Sequence, residues 1–446
     1  MTAARATPLP ARRRGACPAL SAPMRTGDGL LVRLVPASSA LSPAALAGLA
    51  RAAAKCGNGI LEVTARGSLQ LRGLSDASMD ALNAAVRALE IAPQEGLSIA
   101  LSPLSGLDRA ELADARPLAE MVRAGLMASG FAARLGPKVS VVLDGGGSID
   151  LDALKADVRL AARADGLWEL SLAGDAASTV PDGTFRPEDA AERILTHLEA
   201  IARLGQAARM SDLVAPAPRT ASRPPRADAR PGHPIPLRDG TMCVPLALPF
   251  GAADSAAIIG LTQAAAAHGV RDLRPAPPRL LLATGILPAA LDAFLTDAEQ
   301  LGFIRHAADP RLSVAACSGA PLCASAFIPA RSLAPQVAQS LAPLLDGSVS
   351  VHLSGCAKGC AHPAPATLTL VGHPAGADAG DMDTGGMDSA VALVRHGIAD
   401  ALPERILPLR RLAEALARMA EQRKPGERGA EILSRLDLGA LVEPND

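Results

Sequence analysis

Tyrosine is absent from this 446-residue chain, tryptophan occurs once and phenylalanine six times, so aromatics make up only 2% of it. A surface that stacks nucleobases needs such rings, and that class of function is disfavoured. A surplus of charge is missing as well. Forty-four Lys and Arg face 45 Asp and Glu, for a net charge of -1. Neither nucleic acid nor an anionic membrane is therefore expected as a partner. No apolar run is long enough to span a bilayer; the best, "AAIIGLTQAAAAHGV", is short and carries Thr, Gln and His. Cysteine is scarce and odd in number, at seven. That argues against a disulfide framework and for a reducing, cytoplasmic setting. The first 20 residues, "MTAARATPLPARRRGACPAL", contain arginines and no acid but lack the apolar stretch of a secretory signal. They are expected to be a flexible leader rather than an organelle transit peptide.

The chain is too long for one ordinary core, and two or three domains are expected. "VAPAPRTASRPPRADARPGHPIP" (214–236) holds seven prolines and no apolar periodicity, and it reads as a linker. On either side the text repeats weakly. "GDGLLVRLVP" begins at Gly27 and "RDGTMCVPLALPF" at Arg238. An Ala-rich helix should follow each. In the first half Ser42 is the N-cap, Pro43 lies in the first turn and Gly57 is the stop; the counterpart runs from about Asp254 to His268. Then come "GILEVTARGSLQLRGL" and "VRDLRPAPPRLLLATGI", with Arg66 and Arg279 at matching places. Leu69 and Leu71 alternate with Gln70 and Arg72, the pattern of a half-buried strand. Further helices are expected near 117–129, 332–345 and 408–420. The fold class is α+β, with two halves related by duplication. Gly145 to Gly147 read as a hairpin turn rather than a phosphate loop, and Asp144 and Asp157 as structural.

Four of the seven cysteines fall in two loops of the second half. "ACSGAPLCAS" holds Cys317 and Cys323, and "SGCAKGCAHP" holds Cys356 and Cys360. The matching text of the first half, "SPLSGLDR", has none. Thiolates suit zinc or an iron–sulfur cluster. The five-residue gap between the first pair is wider than the usual structural zinc knuckle. Small neighbours such as Gly319, Gly355 and Gly359 would let backbone N–H groups approach the sulfurs, which tunes a cluster and offsets its charge. The spacing favours a cluster, with zinc and unconnected buried thiols as the alternatives. Cys17, Cys56 and Cys243 lack paired spacing and read as ordinary thiols.

The pattern C-x5-C…C-x3-C on the second half of a duplicated α+β chain resembles the sulfite/nitrite reductase family. "RRGACPALSAPMRTGDGLLVRL", "TARGSLQLRGL", "SPLSGLD", "DPRLSVAACSGAPLCASA" and "VHLSGCAKGCAHPAPATLTLVG" are similar to its precorrin-3B synthase branch, across roughly 11–375. The resemblance implies a pseudo-two-fold nitrite/sulfite reductase-like architecture of ferredoxin-like half-domains and two α/β subdomains. The segments expected are a leader (1–25), a first half-domain (26–95), a cluster-free α/β subdomain (96–213), the linker (214–236), a second half-domain (237–305), a cluster subdomain (306–375) and a C-terminal loop and helix (376–446). Departures from the sulfite reductases point the same way. Lys138 in "GPKVSV" matches the first lysine of their active-site pair, Ser140 replaces the second, only Arg109 is on offer for an expected arginine, and Ala357-Lys358-Gly359 replaces a Pro-Asn type of sequence.

The resemblance further implies that Cys317, Cys323, Cys356 and Cys360 bind a [4Fe–4S] cluster. In sirohaem members the last cysteine also bridges to the haem iron, which points to Cys360 as a bridge to a second iron. That iron is non-haem in the precorrin-3B synthase branch and sirohaem in the alternative, a sulfite or nitrite reductase. A non-enzymatic zinc or iron–sulfur protein is the third reading. The implied reaction is a monooxygenase type of oxidation: O2-dependent hydroxylation of precorrin-3A at C20, with γ-lactone formation, in cobalamin biosynthesis. NADH would be an indirect donor through a separate reductase or ferredoxin, because no G-x-G-x-x-G follows a strand. Arg33, Arg66, Arg72, Arg279 and Lys138 are the candidates for binding the substrate's carboxylates. Lys138, Lys358, His352 and His362 are the candidates for catalysis, the two histidines also as iron ligands.

Overall fold

The computed structural model describes residues 18–215, 217–218, 229–374 and 389–438. Cys17, most of the leader, the middle of the Pro-rich segment and the greater part of the Gly/Asp-rich stretch before 389 lie outside the described residues.

The first half opens with β1 (Met24–Thr26), β2 (Gly29–Leu34), α1 (Pro43–Cys56), β3 (Ile60–Val63), β4 (Leu69–Leu74) and α2 (Asp76–Ala88). The Ser42 side chain accepts from the Ala45 N–H, capping α1 as its sequence predicts. The half continues with β5 (Ser98–Leu101), α3 (Arg116–Ser129), β6 (Ser140–Asp144), β7 (Ala156–Ala162), β8 (Trp168–Gly174), β9 (Val180–Phe185) and α4 (Pro187–Leu204). The second half repeats the plan. It has β10 (Ile235–Pro236), β11 (Met242–Ala247), β12 (Ala252–Asp254), α5 (Ser255–Ala267), β13 (Asp272–Ala276), β14 (Leu280–Ile286) and α6 (Leu291–Gln300). Then follow β15 (Val314–Ala316), α7 (Ala330–Ser340), β16 (Val351–Ser354), β17 (Ala366–His373), β18 (Ala390–Gly397), β19 (Arg405–Pro408), α8 (Leu412–Glu421) and α9 (Gly429–Arg435).

The duplication is explicit in the sheets. One five-stranded sheet runs β5-β6-β7-β8-β9 and another β15-β16-β17-β18-β19. In both, the first three strands are parallel and the last two antiparallel. The sheet with the cysteine loops therefore continues beyond residue 375, and α8 joins its core through Leu412, Leu416 and Met419. The other two sheets, β1-β2-β4-β3-β12 and β10-β11-β14-β13, share one apolar core with helices of both halves. It holds Leu46, Leu49, Leu82, Ile258, Leu261 and Phe294. Each such leucine removed from water contributes about 1.5–3 kcal/mol. Strand β12 belongs to the second half but pairs with β3 of the first, which fastens the halves together.

Two expectations are corrected. Gly145 to Gly147 do not form a hairpin turn, because β6 and β7 are parallel and the segment between them is a crossover loop. Gly145 and Gly147 are there for close approach: a Cβ would lie 2.3 Å from the Ala113 carbonyl oxygen and 2.6 Å from the Asp108 carboxylate, respectively. Strand β4 is not half-exposed either. Gln70 and Arg72 are as buried as Leu69 and Leu71, because the polar face of this strand lies against the second half. Among the described residues no helix is long and apolar enough to cross a membrane.

Candidate functional site

The four cysteines lie in the loops that follow β15 and β16, at the carboxyl ends of parallel strands, where open α/β sheets place their ligands. The Gly355 N–H donates to the Cys317 sulfur at 3.1 Å. The Phe327 N–H donates to the Gly355 carbonyl at 2.8 Å, and the Lys358 ammonium donates to the Ser325 hydroxyl at 2.8 Å. These bonds close one loop on the other. The approach requires small residues. A Cβ on Gly355 would lie 2.6 Å from the Ala326 side chain, and one on Gly319, at φ +70°, 2.1 Å from the Ala330 nitrogen.

The sulfurs influence one another. Burial pushes the Cys317 thiol up, opposed by N–H groups of Gly355 and Gly319, and charge on Cys360 and Cys356 would push it further. Burial also raises Cys356, opposed by the Lys358 N–H, with Cys360 and Cys323 adding to the rise. Cys317 and Cys356, each with backbone donors aimed at its sulfur and each within reach of charge on the other cysteines, fit a cluster that would hold them as thiolates. Among the described residues no three or more of His, Cys, Asp and Glu, the four cysteines included, form a group that could hold a single metal ion. His352 and His362 meet, with ring centroids 5.8 Å apart. His352 is fully buried, and neither of its ring nitrogens has a partner. Burial, then the His362 and Arg279 charges, lower its pKa to about 3, so the ring is neutral at pH 7.

The first half-domain supplies the opposite wall. Arg72 is only 2% exposed and donates to Asp28 at 2.9 and 3.0 Å, and also to the Leu322 carbonyl beside Cys323. Burial alone would raise the Asp28 carboxyl; hydrogen bonds from Arg72 and Thr26 outweigh it and hold it below the usual carboxylate range. Glu62 accepts from Gln70 and Arg331, and Gln70 accepts from Arg33 at 3.1 Å. Arg279 donates to the Ala361 carbonyl, next to Cys360. Burial and the Arg331 charge lower its pKa. Four arginines thus surround two carboxylates at this junction.

The structure brings together the four cysteines, Lys358, His352, His362, Arg33, Arg72 and Arg279. Arg33 and Arg72 lie on strands, whereas Arg66 and Arg279 occupy the equivalent turns β3–β4 and β13–β14. Arg66 is exposed and donates to the Lys155 carbonyl at 3.0 Å. Lys138 is exposed before β6, at the far end of that strand from the loop matching Cys356–Cys360. Arg72 and Arg279 both donate to backbone next to a cysteine. Sequence reasoning passed over Asp28, Glu62 and Arg331. A lone acid inside the apolar text "GILEV" was the available signal for Glu62. Nothing local marked Arg331. Cys243 is the ordinary buried thiol expected, raised by burial, and Cys56 is partly buried.

Residues 22–89 match the model of the nitrite/sulfite reductase ferredoxin-like half domain. Over 439 residues the chain is 38% identical to a precorrin-3B synthase from Sinorhizobium sp., covering 95% of this chain and 93% of that protein. The chain belongs to the precorrin-3B synthase family. A sulfite reductase [NADPH] hemoprotein beta-component from Acidithiobacillus ferrooxidans is 32% identical, over only 45% of this chain and 37% of that one. The structure of the Mycobacterium tuberculosis NirA protein superposes with a TM-score of 0.69 at 18% identity, covering 93% of this chain and 85% of that one. The precorrin-3B synthase family thus shares the nitrite/sulfite reductase fold.

Proposed function

We propose that the chain is a precorrin-3B synthase, with Cys317, Cys323, Cys356 and Cys360 holding a [4Fe–4S] cluster. The reaction is O2-dependent hydroxylation of precorrin-3A at C20, with a ring A acetate closing to a γ-lactone. The observation that carries the reading is the meeting of four thiols in a chain 38% identical, nearly end to end, to a precorrin-3B synthase. When bound, the cluster supplies single electrons, which ground-state O2 needs because it reacts slowly with closed-shell molecules. NADH is the ultimate donor, through a separate reductase or ferredoxin.

The chain's own residues bind and orient. The substrate is a polycarboxylate, and guanidinium forks match carboxylate geometry. Exposed Arg66 and partly buried Arg33 can reach such groups, whereas Lys138 stands at the far end of β6 from them. Neutral His352 offers one ring N–H and one acceptor nitrogen toward this junction, and His362 stands beside it. Lys358, held on Ser325, places positive charge between the cysteine loops.

Anaerobic purification with iron, sulfide and haem quantification, followed by an assay with precorrin-3A and O2, tests the reading. Four iron and four sulfide per chain, with O2-dependent turnover and no haem, is the expected result. The second reading, a sirohaem-dependent sulfite or nitrite reductase, rests on the partial similarity to the sulfite reductase hemoprotein. A sirohaem spectrum with sulfite turnover would replace the first reading by the second. Zinc in place of iron would leave a non-enzymatic binding protein.

A further inference from the structure

We infer that Arg72 and Arg279 are positioning residues for the two cysteine loops, one sent from each ferredoxin-like half, rather than groups that bind substrate. The inference rests on the reading of the four cysteines as cluster ligands.

Three observations converge. Arg72 is buried, and its guanidinium ends on the Leu322 carbonyl, immediately before Cys323. Arg279 ends on the Ala361 carbonyl, immediately after Cys360. Each therefore fixes the backbone of one cysteine loop from outside the subdomain that contains it. Arg72 is in turn oriented by Asp28, which also accepts from the Asn58 amide at 3.0 Å. The hairpin bearing Asp28 leaves no slack against the same loop. A Cβ on Gly27 would lie 2.6 Å from the Pro321 carbonyl oxygen and 2.7 Å from the Ala324 nitrogen.

The cysteine-free half shows the same device where no cluster is at stake. There the hairpin of the other half-domain supplies Arg238, which donates to the Glu111 carbonyl at 3.1 Å. Arg274 donates to the Pro103 carbonyl at 2.8 Å. Both carbonyls belong to the loop that matches Cys317–Cys323. An arginine from a ferredoxin-like half-domain gripping a loop of an α/β subdomain, across the halves for Arg72, Arg238 and Arg274 and within the second half for Arg279, is thus the duplicated scaffold's way of fixing these loops. In the cysteine-bearing copy it sets where the sulfurs stand.

The test uses the full-length protein purified anaerobically. Arg72→Met and Arg279→Met remove the donors and keep much of the apolar stem. Each is expected to lose iron to a chelator about ten- to hundred-fold faster than wild type, the usual cost of removing a group that orients a metal ligand. The fraction that retains iron should have an unchanged KM for precorrin-3A. Arg72→Lys should recover part of the retention. Asp28→Asn, which leaves the guanidinium in place without its orienting charge, gives the same test if Arg72→Met does not fold. Wild-type iron retention with a raised KM would overturn the inference and make these residues substrate contacts. Wild-type protein lacking iron and sulfide altogether would overturn the cluster reading, and the inference with it.

Discussion

The two interfaces between half-domains and α/β subdomains are built on one plan and filled with opposite chemistry. The half-domain sheet of the second half packs on the cluster-free subdomain through Ile235, Leu237, Leu280 and Leu282 against Leu104, Ile149 and Leu151. The half-domain sheet of the first half meets the cysteine subdomain through Arg72, Glu62, Gln70 and Arg331. The loops compare in the same way. In one, the Leu112 and Ala113 N–H groups donate to the Gly145 carbonyl, and the Asp108 carboxylate accepts from the Ser148 N–H at 2.5 Å. In the other, the Phe327 N–H donates to the Gly355 carbonyl, and the Cys317 sulfur accepts from the Gly355 N–H. Duplication supplied two equivalent places. One became a packed structural joint, and the other kept a cationic, thiol-lined junction. Buried charge costs stability unless it is paired, and here Arg72 is paired with Asp28 and Glu62 with Arg331.

The contrast can be broken most severely at Cys323. Cys323→Ser should abolish bound iron and activity together in a protein that remains folded, checked by iron and sulfide analysis beside circular dichroism. In the other copy, Asp108→Ala should act on the fold. It leaves the Ser148 and Ala110 N–H groups without their acceptor and should cost about 2–4 kcal/mol in denaturant unfolding, beyond the usual range for surface changes. Arg66→Ala should raise the KM for precorrin-3A about tenfold, the loss of one charge-assisted contact, without changing iron content. The smallest effect is one of pH. Burial raises the Glu111 carboxyl against the Gly106 N–H, so protonation is easier in the folded chain than in the unfolded one. Its contribution is most favourable below the unfolded value of about 4.5 and is lost as pH rises through the folded value. Glu111→Gln should therefore gain stability relative to wild type as pH is raised from 4 to 7, seen as a widening difference in Tm.

Local signals were legible where the physics is local. Ser42 and Pro43 mark the start of α1, Asp254 caps α5, and the cysteine spacing marks two loops. The duplicated order of elements also showed, because apolar periodicity reports which face is buried. It misled at β4, where alternation suggested water on the polar face. That face is covered by a subdomain some 250 positions away, and nothing in the pattern separates solvent from a buried ionic partner. Arg331 was invisible for the same reason: its partner, Glu62, is 269 residues distant. The Gly145–Gly147 segment was misjudged because glycine permits a tight turn and a close approach alike, and only the parallel pairing of β6 with β7 decides between them.

The β12–β3 pairing bears on how the protein is made. Chains fold from the N-terminus as they are synthesised. The first half-domain sheet emerges without its edge strand and waits for residues 252–254. Arg72 waits longer still, for the loop that contains Leu322. The thiols follow the residues of their outer wall in the chain, and β17 to α9 then complete the sheet and core that carry them. A chain truncated before β15 would expose both the unfilled ionic face and its arginines to quality control.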